Sequence, residues 1–249
     1  MKQQRILEVC AYNVESCIIA EKAGAARVEL CDNPLEGGTT PSYGTIKVAR
    51  DRISLPLYPI IRPRGGNFLY TDKEFEIMKQ DILMCRELGC NGISVGVQTA
   101  DGTIDTTRLS RIVEWAGPLG VTCHRVFDIT PDPFAALEDI IGCGCERILT
   151  SGQASAAPKA TAMLARLVEQ AGDRIVIMPG AGVKSTNIKN LIDETGAREY
   201  HAAAKQMVAN TVRYLNPEVN DYGEAYITSE TEIRALVSQL NNYQFHRLA

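Results

Sequence analysis

Five residues able to do acid, base or guanidinium chemistry stand in otherwise apolar runs of this chain. Glu8 lies in "RILEVC", Glu29 in "RVELC", Arg62 ends "LYPIIR", His124 falls in "GVTCHR" and His201 in "REYHA". A charge among apolar neighbours is costly unless another charge or a ligand compensates it. Guanidinium groups hold carboxylates and phosphates through paired hydrogen bonds. Carboxyl and imidazole groups brought together push their pKa values apart and can serve as acid and base. Glu8, Glu29 and His124, with Asp128 at the rim, are therefore candidate catalytic groups. Arg62, Arg64, Arg125 and His201 are candidate anion contacts. Cys10 and Cys31 offer a different chemistry, because thiolates are donors for soft metals such as Cu(I).

Whether these residues meet depends on the elements that carry them. Short β-rich runs alternate with longer helical ones: strands at 5–10, 27–31, 57–62, 92–97, 120–125, 147–151, 174–180 and 198–202. A helix is expected after each, for example over 13–24, over 72–89 with Asp72 as its cap and Gly89 as its stop, and over 229–242. Eight strand–helix pairs with no break in composition predict one (β/α)8 barrel over residues 1–249. The connection 203–228, through Pro217 and Gly223, and the last helix belong to it. A doubly wound sheet is the alternative, but "LEVCAYNVES" carries no glycine fingerprint for a dinucleotide.

Side chains alternate across a strand, so parity sorts them toward helices or barrel interior. It sends Ile6, Glu8 and Cys10 inward, with Glu29 and Cys31, then Tyr58, Ile60 and Arg62, then Thr122 and His124. Ile148 and Thr150 are expected inside on the sixth strand, and Glu199 and His201 on the eighth. The ionisable groups gather at the C-terminal strand ends, where barrel enzymes keep their sites. The loops beyond add Arg64 before a glycine pair, "HRVFD" with Arg125 and Asp128, Thr150, Ser151 and Gly152 of "TSG", and Gly180 and Gly182 of "PGAGV". Such turns expose backbone N–H groups to anions. Plain tight turns are the alternative, and "HAAAK" after strand eight lacks the glycine of a phosphate loop.

Two readings stay open for this mouth. Cys10 and Cys31, with His124 or His201, would suit Cu(I), provided the barrel radius lets them meet. Arg62, Arg64 and Arg125 suit a small anion, even a phosphorylated one, on which an isomerase- or lyase-like acid–base reaction could run. No lysine falls at an inner strand position, so a Schiff base lacks its nucleophile. Cys143-Gly144-Cys145 sits before strand six, at the far end of the barrel. It reads as a tight turn with incidental thiols, soft-metal chelation being the alternative.

Composition narrows the classes further. The 249 residues are 45% hydrophobic and 22% charged, with a formal net charge of −4, which argues against nucleic acid or an anionic membrane as the partner. No apolar run reaches membrane-spanning length, and "MKQQRILEVC" lacks the apolar core of a signal peptide. Eight cysteines without an export signal are expected to be reduced thiols in the cytoplasm.

Taken in order, "VELC", "EGGTTPS", "IIRPRGG", "HRVFD", "LTSG" and "GAGV" resemble the CutC family, named for copper homeostasis, over most of the chain from Glu8 to His201. The resemblance implies a TIM barrel, a cytoplasmic location, a role in copper handling, and a homodimer or higher oligomer. "HAAA" departs from the serine-containing stretch usual there. The segment 214–226 is long enough to cover a neighbouring subunit.

Overall fold

Alternating β-branched runs and capped amphipathic helices build an eight-stranded parallel barrel in the computed structural model, which describes residues 5–209, 211–214, 216–219 and 225–243. The first half of the chain supplies β1 (Ile6–Ala11), α1 (Val14–Lys22), β2 (Arg27–Leu30), α2 (Tyr43–Arg52), β3 (Leu57–Ile61), α3 (Asp72–Glu87), β4 (Gly92–Val95) and α4 (Thr106–Ala116). The second half supplies β5 (Gly120–Cys123), α5 (Pro133–Gly142), β6 (Arg147–Thr150), α6 (Thr161–Ala171), β7 (Val176–Pro179), α7 (Ile188–Thr195) and β8 (Glu199–Ala202). A hairpin of β9 (Lys205–Val208) and β10 (Ala225–Thr228) precedes α8 (Glu230–Asn242).

The strands are hydrogen-bonded in the order β7-β6-β5-β4-β3-β2-β1-β8, so β7 and β8 form the two ends that nearly close the barrel. Gly180, just past β7, permits that approach. A Cβ there would lie 2.4 Å from Leu149 Cδ1 and 3.3 Å from His201 Cβ.

Parity divides the core into two parts. Leu7, Val9, Val28, Leu30, Ile61, Ile93 and Cys123 face outward and join the helices in one large apolar cluster. Cys10, Cys31 and Ile60 form a separate inner cluster, with Tyr12 and Ala203 against it. Below them the interior is ionic. Arg27 pairs with Glu8 and, at 2.6 Å, with Glu199. Arg147 pairs with Glu199 at 2.7 Å and Glu146 at 2.7 Å, and Tyr58 donates to Glu146 at 2.8 Å.

The sixth strand corrects the expected parity. Its register sets Arg147 beside Thr122 and Ile148 beside Cys123, so Arg147 enters the barrel while Ile148 joins the outer core and Thr150 turns toward Asp128. Apolar preference alone would put Ile148 inside. The carboxylate of Glu199 decides otherwise, because an arginine at that level finds its partner there. A second correction concerns α3, which is capped by Thr71 rather than Asp72. The Thr71 hydroxyl accepts from Glu74 N–H and the Glu74 carboxylate accepts from Thr71 N–H, while Asp72 pairs with Arg108. The connection 203–228 contains β9 and β10, paired antiparallel from Lys205–Thr228 to Val208–Ala225. Gly223 lies outside the described residues.

Arg147→Met removes one member of a buried ion network and leaves Glu199 to Arg27 alone. Breaking such a pair costs about 3 kcal/mol, so the urea midpoint should fall well below wild type. An unchanged midpoint would mean that the interior charges do not support the barrel.

Candidate functional site

The upper strand ends bring together groups separated by most of the chain. β1 carries Glu8 and Cys10, and β2 carries Glu29 with Cys31 one residue beyond its end. His201 comes from β8, His124 follows β5 and Arg62 follows β3. The β1–β8 register places Glu8 beside His201, and the β1–β2 register places Cys10 beside Glu29. All these side chains are buried.

Glu8 is the hinge of the charge pattern. One oxygen accepts from Arg27 and the other lies 2.8 Å from His201 Nδ1. Burial pushes its carboxyl up, but Arg27 and the His201 hydrogen bond outweigh that and hold it well below the usual carboxylate range. Burial likewise disfavours a charged His201, yet hydrogen bonding to Cys10 and Glu8 and the charge of Glu29 lift it well above an ordinary histidine. His201 Nε2 lies 3.7 Å from Glu29 Oε2. Burial dominates at Glu29 and raises its carboxyl, with His201 opposing.

The two thiols meet. Cys10 Sγ and Cys31 Sγ are 3.8 Å apart, and Cys31 Sγ donates to Glu29 Oε2 at 3.5 Å. The ligand atoms of Cys10, Glu29 and Cys31 all lie within 4.8 Å of one another. Hydrogen bonding with Cys31 is the largest influence on Cys10 and, with His201, outweighs burial to bring its thiol down to about 6. Cys31 moves the other way, raised by that same hydrogen bond and by burial. Beside this set, His124 Nε2 stands 3.8 Å from Glu29 Oε1. Burial, then the charge of His201, lowers the His124 pKa to about 3.

The other expected contacts are engaged within the chain. Arg62 donates to the carbonyls of Glu36 at 2.6 Å, Gly38 at 2.7 Å and Gly66 at 2.7 Å, and its guanidinium stacks on Phe68. Arg64 pairs with Glu74 at 2.6 Å and donates to Gly65, Asn67 and Leu69 carbonyls, so it braces its own loop against α3. Arg125 reaches Asp128 at 2.7 Å and Ser151 Oγ at 3.2 Å. Asp128 accepts from Thr150 Oγ1 at 2.6 Å, from Ser151 N–H and hydroxyl, and from Gln153 N–H. It organises the turn after β6 instead of reaching into the mouth. The N–H groups of Ser151, Gly152 and Gly180 have protein acceptors as well. Gly182, at φ +75°, packs against Ala156. Cys143 and Cys145 lie at the opposite end, in the turn between α5 and β6.

Sequence parity held a signal for Arg27 that the apolar pattern overshadowed, since it shares the face of Glu29. Arg147 and Ser94 gave no such signal. Ser94 enters the interior because β4 aligns it with Ile60 and Thr122.

Residues 5–206 match the CutC family model. Family proteins named CutC from Parabacteroides distasonis and Chromobacterium violaceum are 50% and 48% identical to this chain. The first alignment covers 92% of this chain and 94% of the relative, the second 95% and 98%. A crystal structure from Streptococcus agalactiae, named for copper homeostasis and CutC, superposes with a TM-score of 0.76 at 36% identity, covering 79% of this chain and 97% of that one. The chain belongs to the CutC family.

An unfolded histidine takes its proton near pH 6.5, whereas folded His124 refuses it until about pH 3. The stability this group contributes is thus present above pH 6.5 and lost as pH falls toward 3. Between pH 7 and pH 4.5 the wild type should lose about 2 kcal/mol more unfolding free energy than His124→Gln. Parallel urea-derived pH profiles for the two proteins would contradict this assignment.

Proposed function

We propose that this member of the CutC family serves copper homeostasis by binding Cu(I) through the Cys10 and Cys31 sulfurs, with His201 and Glu29 beside them. The observation that carries the reading is the 3.8 Å contact between the two thiols at the inner mouth of the barrel. Cu(I) prefers thiolate and imidazole donors, and this cluster supplies both. Cys10 is already inclined to the thiolate, so binding has to displace the Cys31 proton and, where the imidazole ligates, the proton of His201 as well. A cavity of about 470 Å³ lined by Tyr12, Asn13, Glu15, Cys31 and Asp32 opens onto the second thiol, and its two carboxylates favour an approaching cation.

The positive charges that oppose a metal are largely neutralised elsewhere. Arg64 and Arg125 are paired with Glu74 and Asp128, and Arg27 and Arg147 belong to the network below. All eight cysteines are free thiols, which fits a reducing cytoplasm. Exposed Met207 and Tyr214 on the hairpin side support a homodimer or larger assembly.

Anaerobic titration of Cu(I) against a chromophoric chelator tests the reading. One ion per chain is expected, with Cys10→Ser and Cys31→Ser each weakening it about 100-fold, or ~2.7 kcal/mol. Wild-type affinity in both serine variants would move copper away from this pair.

A further inference from the structure

Arg62 is a buried cation without a counter-ion. It is 6% exposed, yet its neighbours are three uncharged backbone carbonyls, the face of Phe68 and the Tyr70 hydroxyl, and no carboxylate pairs with it among the described residues. Its Nε–H meets no acceptor at hydrogen-bonding geometry among the described residues. The three carbonyls align the guanidinium and satisfy part of it, but they do not cancel its charge. Every other arginine buried in the barrel, Arg27 and Arg147, has a carboxylate.

Further unpartnered atoms lie in the same mouth. His124 shares Phe68 as a neighbour with Arg62, at 6.4 Å between ring centroids, and its Nδ1 lacks a partner. Glu29 Oε1 and Ser94 Oγ are likewise buried and short of a full hydrogen bond, although the Ser94 hydroxyl lies close enough to favour the Glu29 carboxylate. Glu29 uses its other oxygen, Oε2, toward Cys31. The unused donors and acceptors come from four neighbouring strands, on β2 and β4 and just past β3 and β5. Buried polar groups in folded proteins are nearly always satisfied, so a cluster of exceptions calls for a ligand.

We propose that this side of the mouth binds a small hydroxycarboxylate. Its carboxylate supplies the missing negative charge and accepts from Arg62 Nε–H. A hydroxyl gives Glu29 Oε1 its donor and meets Ser94 or His124. The site shares Glu29 with the Cu(I) cluster at Cys10 and Cys31 but uses its other oxygen, Oε1.

Glycerate is a suitable probe, with three controls measured by calorimetry and thermal shift on the wild-type apoprotein. Glycerol keeps the hydroxyls without the charge, propionate keeps the charge without the hydroxyls, and glycerol 3-phosphate replaces carboxylate by phosphate. Glycerate should bind at least about 10-fold tighter than glycerol or propionate. Ser94→Ala, which touches none of the Arg62 contacts, should weaken glycerate several-fold, and Arg62→Met should abolish its binding. Arg62→Met also removes the clamp between two loops, so the ligand series on wild type decides the matter if that variant does not fold. Glycerol binding as well as glycerate would overturn the proposal, and so would binding of glycerol 3-phosphate alone. Cys10→Ser should lose Cu(I) and keep glycerate, so failure of one site is distinguishable from failure of the other.

Discussion

The barrel depends on keeping several full charges inside itself without water. Glu8 and Glu199 are each bound to Arg27, and Arg147 ties Glu199 to Glu146 near the lower rim. Two carboxylates and two guanidiniums in one dry interior are tolerable only because their donors and acceptors alternate. That alternation has a consequence at the top. With Arg27 on one of its oxygens, Glu8 remains an anion and can hold His201 as a cation through the other. The network thus sets the charge of the upper layer from below.

His201 passes that setting to the thiols. Its positive charge, with the Cys31 hydrogen bond, favours a Cys10 thiolate. Glu29, dominated by burial, is left with little reason to ionise. The pair of sulfurs at the end of this relay therefore differs from the cysteines that burial alone governs. Cys17, Cys123 and Cys145 are raised chiefly by burial and act as small apolar side chains in the outer core. The same physical property, a thiol out of water, yields inert packing in one place and a thiol pair beside Glu29 and His201 in another. The difference lies in which face of the strand the sulfur occupies.

The loops show a similar division of labour. Arg64, Arg125 and Asp128 looked like ligand contacts because they are charged residues beside glycines at strand ends. Their partners are instead Glu74, Ser151 and the turn after β6, so they shape the rim. Arg62 differs because its neighbours are carbonyls, which orient a guanidinium but leave its charge uncompensated. A rim braced by its own ion pairs keeps that one cation fixed in place.

The barrel was legible because its determinants are local. Eight β-rich runs, helices with caps and glycine stops, and the alternation that sends Glu8, Cys10, Glu29 and His201 to one face all follow from neighbours in sequence. The order of the motifs likewise marked the family. Partnership was not legible, since it joins residues 21 to 193 positions apart: Cys10 to Cys31, Glu8 to His201, Arg147 to Glu199. Parity failed on β6 for that reason, where a distant carboxylate outweighed the apolar preference of Ile148. The sequence alone determined which residues could face the barrel axis, because side-chain direction is a property of the strand. Only the tertiary structure decided which charges neutralise one another and which sulfurs touch, because those depend on the stagger and closure of eight strands at once.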